Sequence, residues 1–215
     1  MMRQAYFFVC AAVFVLHAGA AQAQQRAPSE AATAELRLVE DIGAERLLKG
    51  ASTSPQNAAA LLQNGSGNTV RIDQQSLSGV SNQAYVAQVG AANALGLVQI
   101  GGGNVATMEQ NGTGNHADLT QNGQGNASAL TQKGTGNRLT GLVVGNGNEL
   151  NIHQDGNGNR VESEIHQNKQ SYTINQYGTG NVLKQVESTI QAIPGYTVEM
   201  RGSGINLTIE QGKMK

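Results

Sequence analysis

Residues 110–121, QNGTGNHADLTQ, decide the fold. Asn115, Ala117, Leu119 and Gln121 fall on one parity, and His116, Asp118 and Thr120 on the other. That period of two is the signature of a half-buried strand. The preceding Gly-Thr-Gly is a turn, because glycine enters left-handed backbone conformations at little steric cost. The same register returns as Asn68, Val70, Ile72, Gln74; as Asn93, Leu95, Leu97, Gln99; and as Asn148, Leu150, Ile152, Gln154.

Working outward, Gln recurs at 63, 74, 88, 99, 110, 121, 132, 154 and 176, mostly 11 or 22 residues apart. Five of the turns that follow share one form, with paired glycines Gly65 and Gly67, Gly112 and Gly114, Gly134 and Gly136, Gly156 and Gly158, and Gly178 and Gly180. An 11-residue period also suits a helix in a right-handed supercoil. Two glycines per period would cost such a helix about 2 kcal/mol every three turns, and the strict alternation argues against it as well. The register predicts strands at 57–63, 68–74, 82–88, 93–99, 104–110, 115–121, 126–132, 137–143, 148–154, 159–167, 170–176, 181–187, 194–200 and 205–211. They pair into seven two-strand repeats with four residues between the strands of each repeat, and the irregular connections at 75–81, 168–169 and 188–193 fall between repeats. The expected fold is all-β: a two-sided parallel β-solenoid of cross-β type. Odd strands form one parallel sheet and even strands the other, with coils stacked about 4.8 Å apart.

Inward positions then hold two apolar side chains per strand, flanked by amides. The expected ladder comprises Gln63, Asn68, Gln74, Asn82, Gln88, Asn93, Gln99, Asn104, Gln110, Asn115, Gln121, Asn126, Gln132, Asn137, Asn148, Gln154, Asn159, Gln176 and Asn181. An amide carries both donors and an acceptor, so like amides stacked along an axis can satisfy one another. The strand 181–187 fits least well, since Gln185 points inward, and the last repeat has Met200 and Ile205 where Gln and Asn are due.

Composition narrows the function. Gly, Gln and Asn contribute 28, 22 and 20 of 215 residues, aromatics are 4% and Trp is absent, which leaves little for a conventional core of large side chains. The formal charge of −1 and the lack of Lys/Arg runs give no footprint for nucleic acid. At the N-terminus, Arg3, the apolar run Tyr6 to Val15 and Ala21-Gln22-Ala23 predict an export signal over 1–23. The single cysteine, Cys10, lies inside it, so the mature chain is expected to lack disulfides, a cysteine metal site and a cysteine nucleophile. Residues 24–56 lack the repeat. They form a leader that is either helical over about 31–48 or disordered, and residues 212–215 form a short basic tail with Lys213 and Lys215.

The unit Gln-x-Gly-x-Gly-Asn-x-(Ala/Val/Leu)-x-(apolar)-x-Gln, running over 57–211, resembles the curlin repeat of bacterial curli fibres. Asn57-Ala-Ala-Ala-Leu-Leu-Gln63 and Arg71-Ile-Asp-Gln74 look more like the minor, nucleating subunit than the major one. The resemblance implies a non-enzymatic subunit of extracellular functional amyloid that serves adhesion and biofilm. It also implies head-to-tail polymerisation with itself, association with other curlin subunits and passage through an outer-membrane export machinery. The chain departs from the pattern in having seven repeats rather than five.

Two other classes compete. A monomeric secreted binding module would keep the solenoid but cap its ends. An ice binder would need a flat outward Thr ladder, whereas Thr120, Thr131 and Thr140 are scattered over both sheets. A polysaccharide-acting β-helix enzyme would need converging carboxylates, and Glu162 and Glu164 sit side by side on one strand with nothing opposite. His116, His153 and His166 are outward and far apart, so no metal, cofactor or catalytic residue is expected.

Overall fold

The computed structural model describes residues 57–188 and 194–212. The predicted export signal and leader lie outside the described residues, as do the two lysines of the tail. Fourteen strands follow in order: β1 Ala58–Ser66, β2 Thr69–Ser76, β3 Gln83–Ala91, β4 Ala94–Gly102, β5 Val105–Thr113, β6 His116–Gln124, β7 Ala127–Thr135, β8 Arg138–Val144, β9 Glu149–Asn157, β10 Arg160–His166, β11 Ser171–Thr179, β12 Val182–Glu187, β13 Thr197–Ser203 and β14 Asn206–Gln211. They form two seven-stranded parallel sheets, one ordered β1-β3-β5-β7-β9-β11-β13 and the other β14-β12-β10-β8-β6-β4-β2. No strand pairs with its neighbour in sequence. Each pairs with the strand one coil away, which lets both sheets bury an apolar face against each other.

Register is kept without slippage through the stack. Gln88 pairs with both Gln63 and Gln110, and Gln132 with both Gln110 and Gln154. A one-residue slip would turn every inward side chain to solvent, so the apolar parity fixes the alignment. The core is thin. Leu95 and Leu97 face inward on β4, and Ala106 and Met108 on β5, all buried. On the even sheet one inward column changes character along the stack, from Ile72, Leu97 and Leu119 to Gly141, Ser163 and Gln185.

The strand limits differ from the expectation. Strands begin one residue later, except β13, which begins three later at Thr197, and β10 stops at His166, one short of the expected 167. Most strands continue two or three residues past the Gln position, so the expected four-residue turn shrinks to a two-residue corner such as Gly114-Asn115. Pairing survives across the first turn glycine: Gly112 pairs with Gly90 and with Gly134. The reason is close approach. A Cβ built on Gly112 would lie 1.9 Å from the carbonyl oxygen of Gly134. With no side chain in the way, the backbone of one turn seats directly on the next.

Candidate assembly site: amide ladders and open sheet edges

The Gln residues form two files. On the odd sheet, Nε2 of each Gln donates to Oε1 of the next: Gln63 to Gln88 at 2.8 Å, Gln88 to Gln110 at 2.7 Å, Gln110 to Gln132 at 2.8 Å, Gln132 to Gln154 at 2.8 Å and Gln154 to Gln176 at 2.9 Å. The file ends on Met200, whose Sδ lies 3.5 Å from Gln176 Nε2. On the even sheet Gln74 donates to Gln99 at 2.7 Å and Gln99 to Gln121 at 2.8 Å. Val143 stands next in that file, and Gln121 donates to the Ser128 hydroxyl at 2.9 Å instead. The same amides also tie the two sheets together. Gln110 Nε2 reaches the Ala94 carbonyl at 3.1 Å, and Gln132 Nε2 the His116 carbonyl at 3.0 Å. Gln88, Gln110, Gln132 and Gln154 thus satisfy both of their N–H groups, as a dry interior demands, whereas the buried Nε2 groups of Gln167 and Gln185 have no partner.

The Asn residues stack as well: Nδ2 of Asn93, Asn104, Asn115, Asn126, Asn137 and Asn148 donates to Oδ1 of the Asn one coil earlier at 3.0 to 3.2 Å. Unlike the Gln amides, they also engage the strand backbone of the coil that follows. Asn93 Oδ1 accepts the backbone N–H of Asn115 at 3.1 Å, and Asn93 Nδ2 donates to the Gly112 carbonyl at 2.9 Å. Asn68, Asn115, Asn137, Asn159 and Asn181 do the same on that side of the coil, receiving the N–H of Asn93, Asn137, Asn159, Asn181 and Ile205. On the other side Asn82, Asn104 and Asn126 receive the N–H of Asn104, Asn126 and Asn148, and Asn148 receives that of Gln170. Asn serves here because its short side chain reaches a backbone group one coil away, in the two-residue corner where the strand ladder is interrupted.

The ten predicted turn glycines all have positive φ. So do Gly90, Gly101, Gly103, Gly123, Gly125, Gly145, Gly147, Gly202 and Gly204, which belong to the other corners of the same stack. Their signal was present in Gln99-Ile-Gly-Gly-Gly-Asn104 and Gln121-Asn-Gly-Gln-Gly-Asn126.

Sequence reasoning missed a buried polar cluster in the last coils. Glu187 occupies a ladder position, paired with Ile165 and Gln211, and is fully buried. The Tyr196 hydroxyl donates to Glu187 Oε1, and Tyr196 meets Tyr172 edge to face at 5.2 Å. Glu187 Oε2 and Gln211 Oε1 are both buried acceptors without a donor. Burial raises the Glu187 carboxyl above its ordinary value, against the opposing pull of the Tyr196 and Gln185 side chains. Burial, together with the Glu187 charge, pushes Tyr172 up to about 12. A carboxyl whose pKa is higher folded than unfolded destabilises the fold once the pH passes the unfolded value. Below that value both states are protonated and no penalty applies. The penalty grows as pH rises toward the folded pKa and is constant above it. The last coils are therefore expected to loosen as the pH rises above the ordinary carboxyl range. Glu187→Gln, which supplies an N–H donor, should remove that dependence and slow amide exchange in β12–β14 at pH 7. Protection relative to the intrinsic exchange rate that stays constant with pH in the wild-type chain would refute it.

Outward charges pair locally, two residues apart on one strand. Examples are Arg71 with Asp73 at 2.7 Å, His116 with Asp118 at 2.7 Å, and Glu164 with His166 at 2.7 Å, while Arg160 pairs with Glu162 and Arg201 with Glu199. Exposed pairs of this kind contribute at most about 1 kcal/mol each. Among the described residues no three His, Cys, Asp or Glu side chains come together in a way that could hold a metal ion, and no helix is long and apolar enough to cross a membrane.

The sheet edges complete the site. Among the described residues β1 and β2 have no strand beyond them at one end of the stack, nor do β13 and β14 at the other. Each edge leaves a row of backbone N–H and C=O groups free to pair with another chain. No curated protein and no solved structure matches the chain. A family model described as the curlin associated repeat matches residues 90–123, which run from the last two residues of β3 through β4 and β5 to the penultimate residue of β6. Over that stretch, 34 of the 215 residues, the chain is similar to the curlin associated repeat.

Proposed function

We propose that the chain is an exported, non-enzymatic structural subunit of extracellular curli-type amyloid fibres, built by stacking coil on coil. The observation that carries this reading is the pair of parallel sheets whose edge strands are unpaired at both ends among the described residues, in a register that another coil can continue. The matched curlin repeat supports assembly with other curlin subunits at a cell surface. Roles in adhesion and biofilm, nucleation of a major subunit, and export through an outer-membrane machinery follow from the resemblance of the repeat. The stacked Gln and Asn amides are the proposed cohesive element, because each coil must receive hydrogen bonds from its neighbour to keep its own amides satisfied.

The test is thioflavin-T fluorescence on freshly desalted residues 24–215, with fibre diffraction of the product. A sigmoidal rise shortened by seeds, with reflections near 4.8 and 10 Å, is expected. A lasting monomer with β-type circular dichroism would replace the fibre subunit with a monomeric binding module.

A further inference from the structure

The two ends of the stack are not equivalent. At the N-terminal end the amide positions are all filled, by Asn57 and Gln63 in one sheet and Asn68 and Gln74 in the other. At the C-terminal end the corresponding positions hold Pro194 and Met200, and Ile205 and Gln211. Gln176 pairs with Met200, and the Ile205 N–H takes the Asn181 Oδ1, so the alignment is not in doubt. Three of the four positions have lost their amide.

The loss has a direction. Asn93 accepts the N–H of the next coil and donates to its turn glycine, and wherever a Gln follows in the file the earlier Gln donates its Nε2 forward to it. Within each sheet a coil's amide thus serves the backbone or amide of the next higher-numbered coil, and its Asn Oδ1 also receives the Nδ2 of the next Asn. Pro194, Met200 and Ile205 have no amide to pass on, whereas Asn57, Gln63, Asn68 and Gln74 offer the groups that every later coil uses toward the coil before it. Burial differs in the same sense. Inward-facing Leu61 of β1 is 45% exposed, while Val198 and Met200 of β13 are 9% and 3% exposed. A proline ahead of an edge strand is also a common way of blunting it.

We infer that the chain is a one-ended template. Its N-terminal coil docks on the terminal coil of a different repeat chain that keeps Asn and Gln in all four positions, and its own C-terminal coil passes growth on poorly. This rests on the fibre reading above and says which end assembles, and with what kind of coil. Such a junction continues both sheets in parallel and is heterologous, so it closes no ring. A second copy of this chain is the poorer occupant, because its last coil supplies one amide of four.

The experiment uses the full mature chain and a repaired version carrying Pro194→Asn, Met200→Gln and Ile205→Asn as a stand-in for the partner. Seeded elongation followed by thioflavin-T is expected to be about tenfold faster for the repaired chain, the factor that about 1.4 kcal/mol of restored junction bonding gives. Adding Gln63→Leu and Asn68→Leu to the repaired chain should return it to the wild-type rate. Ile205→Asn alone alters a 36% exposed residue, keeps the rest of the coil native, and should fall between. Equal rates for wild-type and repaired chains, with Ile205→Asn also unchanged, would overturn the inference and leave the fibre reading standing. Absence of fibres from every chain would overturn both.

Discussion

Gly112→Ala is expected to destabilise the solenoid by about 3–5 kcal/mol, from backbone strain together with overpacking. The methyl group would sit 1.9 Å from the Gly134 carbonyl oxygen, and the residue would have to hold a φ of +132°. Neither problem can relax alone, because Gly134 is itself seated on Gly156 with the same spacing of backbones. Gly114→Asn, two residues on, is the matched control. It has a φ of +66° with nothing within 4 Å of the added Cβ. Ala92 already occupies the equivalent corner at a φ of 55°, and Asn tolerates left-handed backbone. That control should cost under about 1 kcal/mol. Urea and thermal melts by circular dichroism measure the difference. Because a solenoid's stability is a sum of nearest-neighbour terms, amide exchange should accelerate first in the coils on either side of Gly112. Equal melts for the two variants would show that the close seating of the turns does not matter.

Gln110→Leu is expected to cost about 2–5 kcal/mol, since it leaves one buried amide N–H and one buried amide C=O without a partner. Gln88 Nε2 would lose one of its two acceptors, keeping the Thr69 carbonyl, and Gln132 Oε1 would lose its donor; both residues are buried at 1% exposure or less. Leucine matches glutamine closely in size, so packing is nearly preserved and the loss reports hydrogen bonding. The same change at the end of the file, Gln63→Leu, removes one bond at an exposed residue and should cost about 1 kcal/mol or less. The chain itself shows what a tolerated break requires. Where Val143 succeeds Gln121 in the even file, Ser128 supplies the missing acceptor. No such substitute stands beside Gln88. A Gln110→Leu chain as stable as wild type would mean that the file is incidental to the stack.

Much of this was legible in the sequence. The period of two set the face of every residue, and the spacing of 22 set which residues are stacked. Odd and even sheets, the inward amides and the inward turn of Gln185 followed from those two numbers. Three things were not legible. The extension of each strand through the first turn glycine depends on backbones meeting across coils, and a single coil read alone looks like a turn there. The division of labour between Asn and Gln also escaped, because the two share an amide and differ in reach, so what each touches depends on the backbone around it. The Glu187 cluster lay hidden because Glu187 sits in the least regular strand, and its partners Tyr196 and Gln211 come from two later segments.

The sequence by itself determined the repeat, the parity of every strand and the parallel stacking. These are consequences of local periodicity, since alternation leaves one apolar face and only a neighbouring coil of like pattern can cover it. Tertiary structure alone decided where each amide proton goes and how closely the turns seat. Those depend on distances of 2 to 3 Å between coils 22 residues apart, and hydrogen bonds and steric overlap change sign over less than that length.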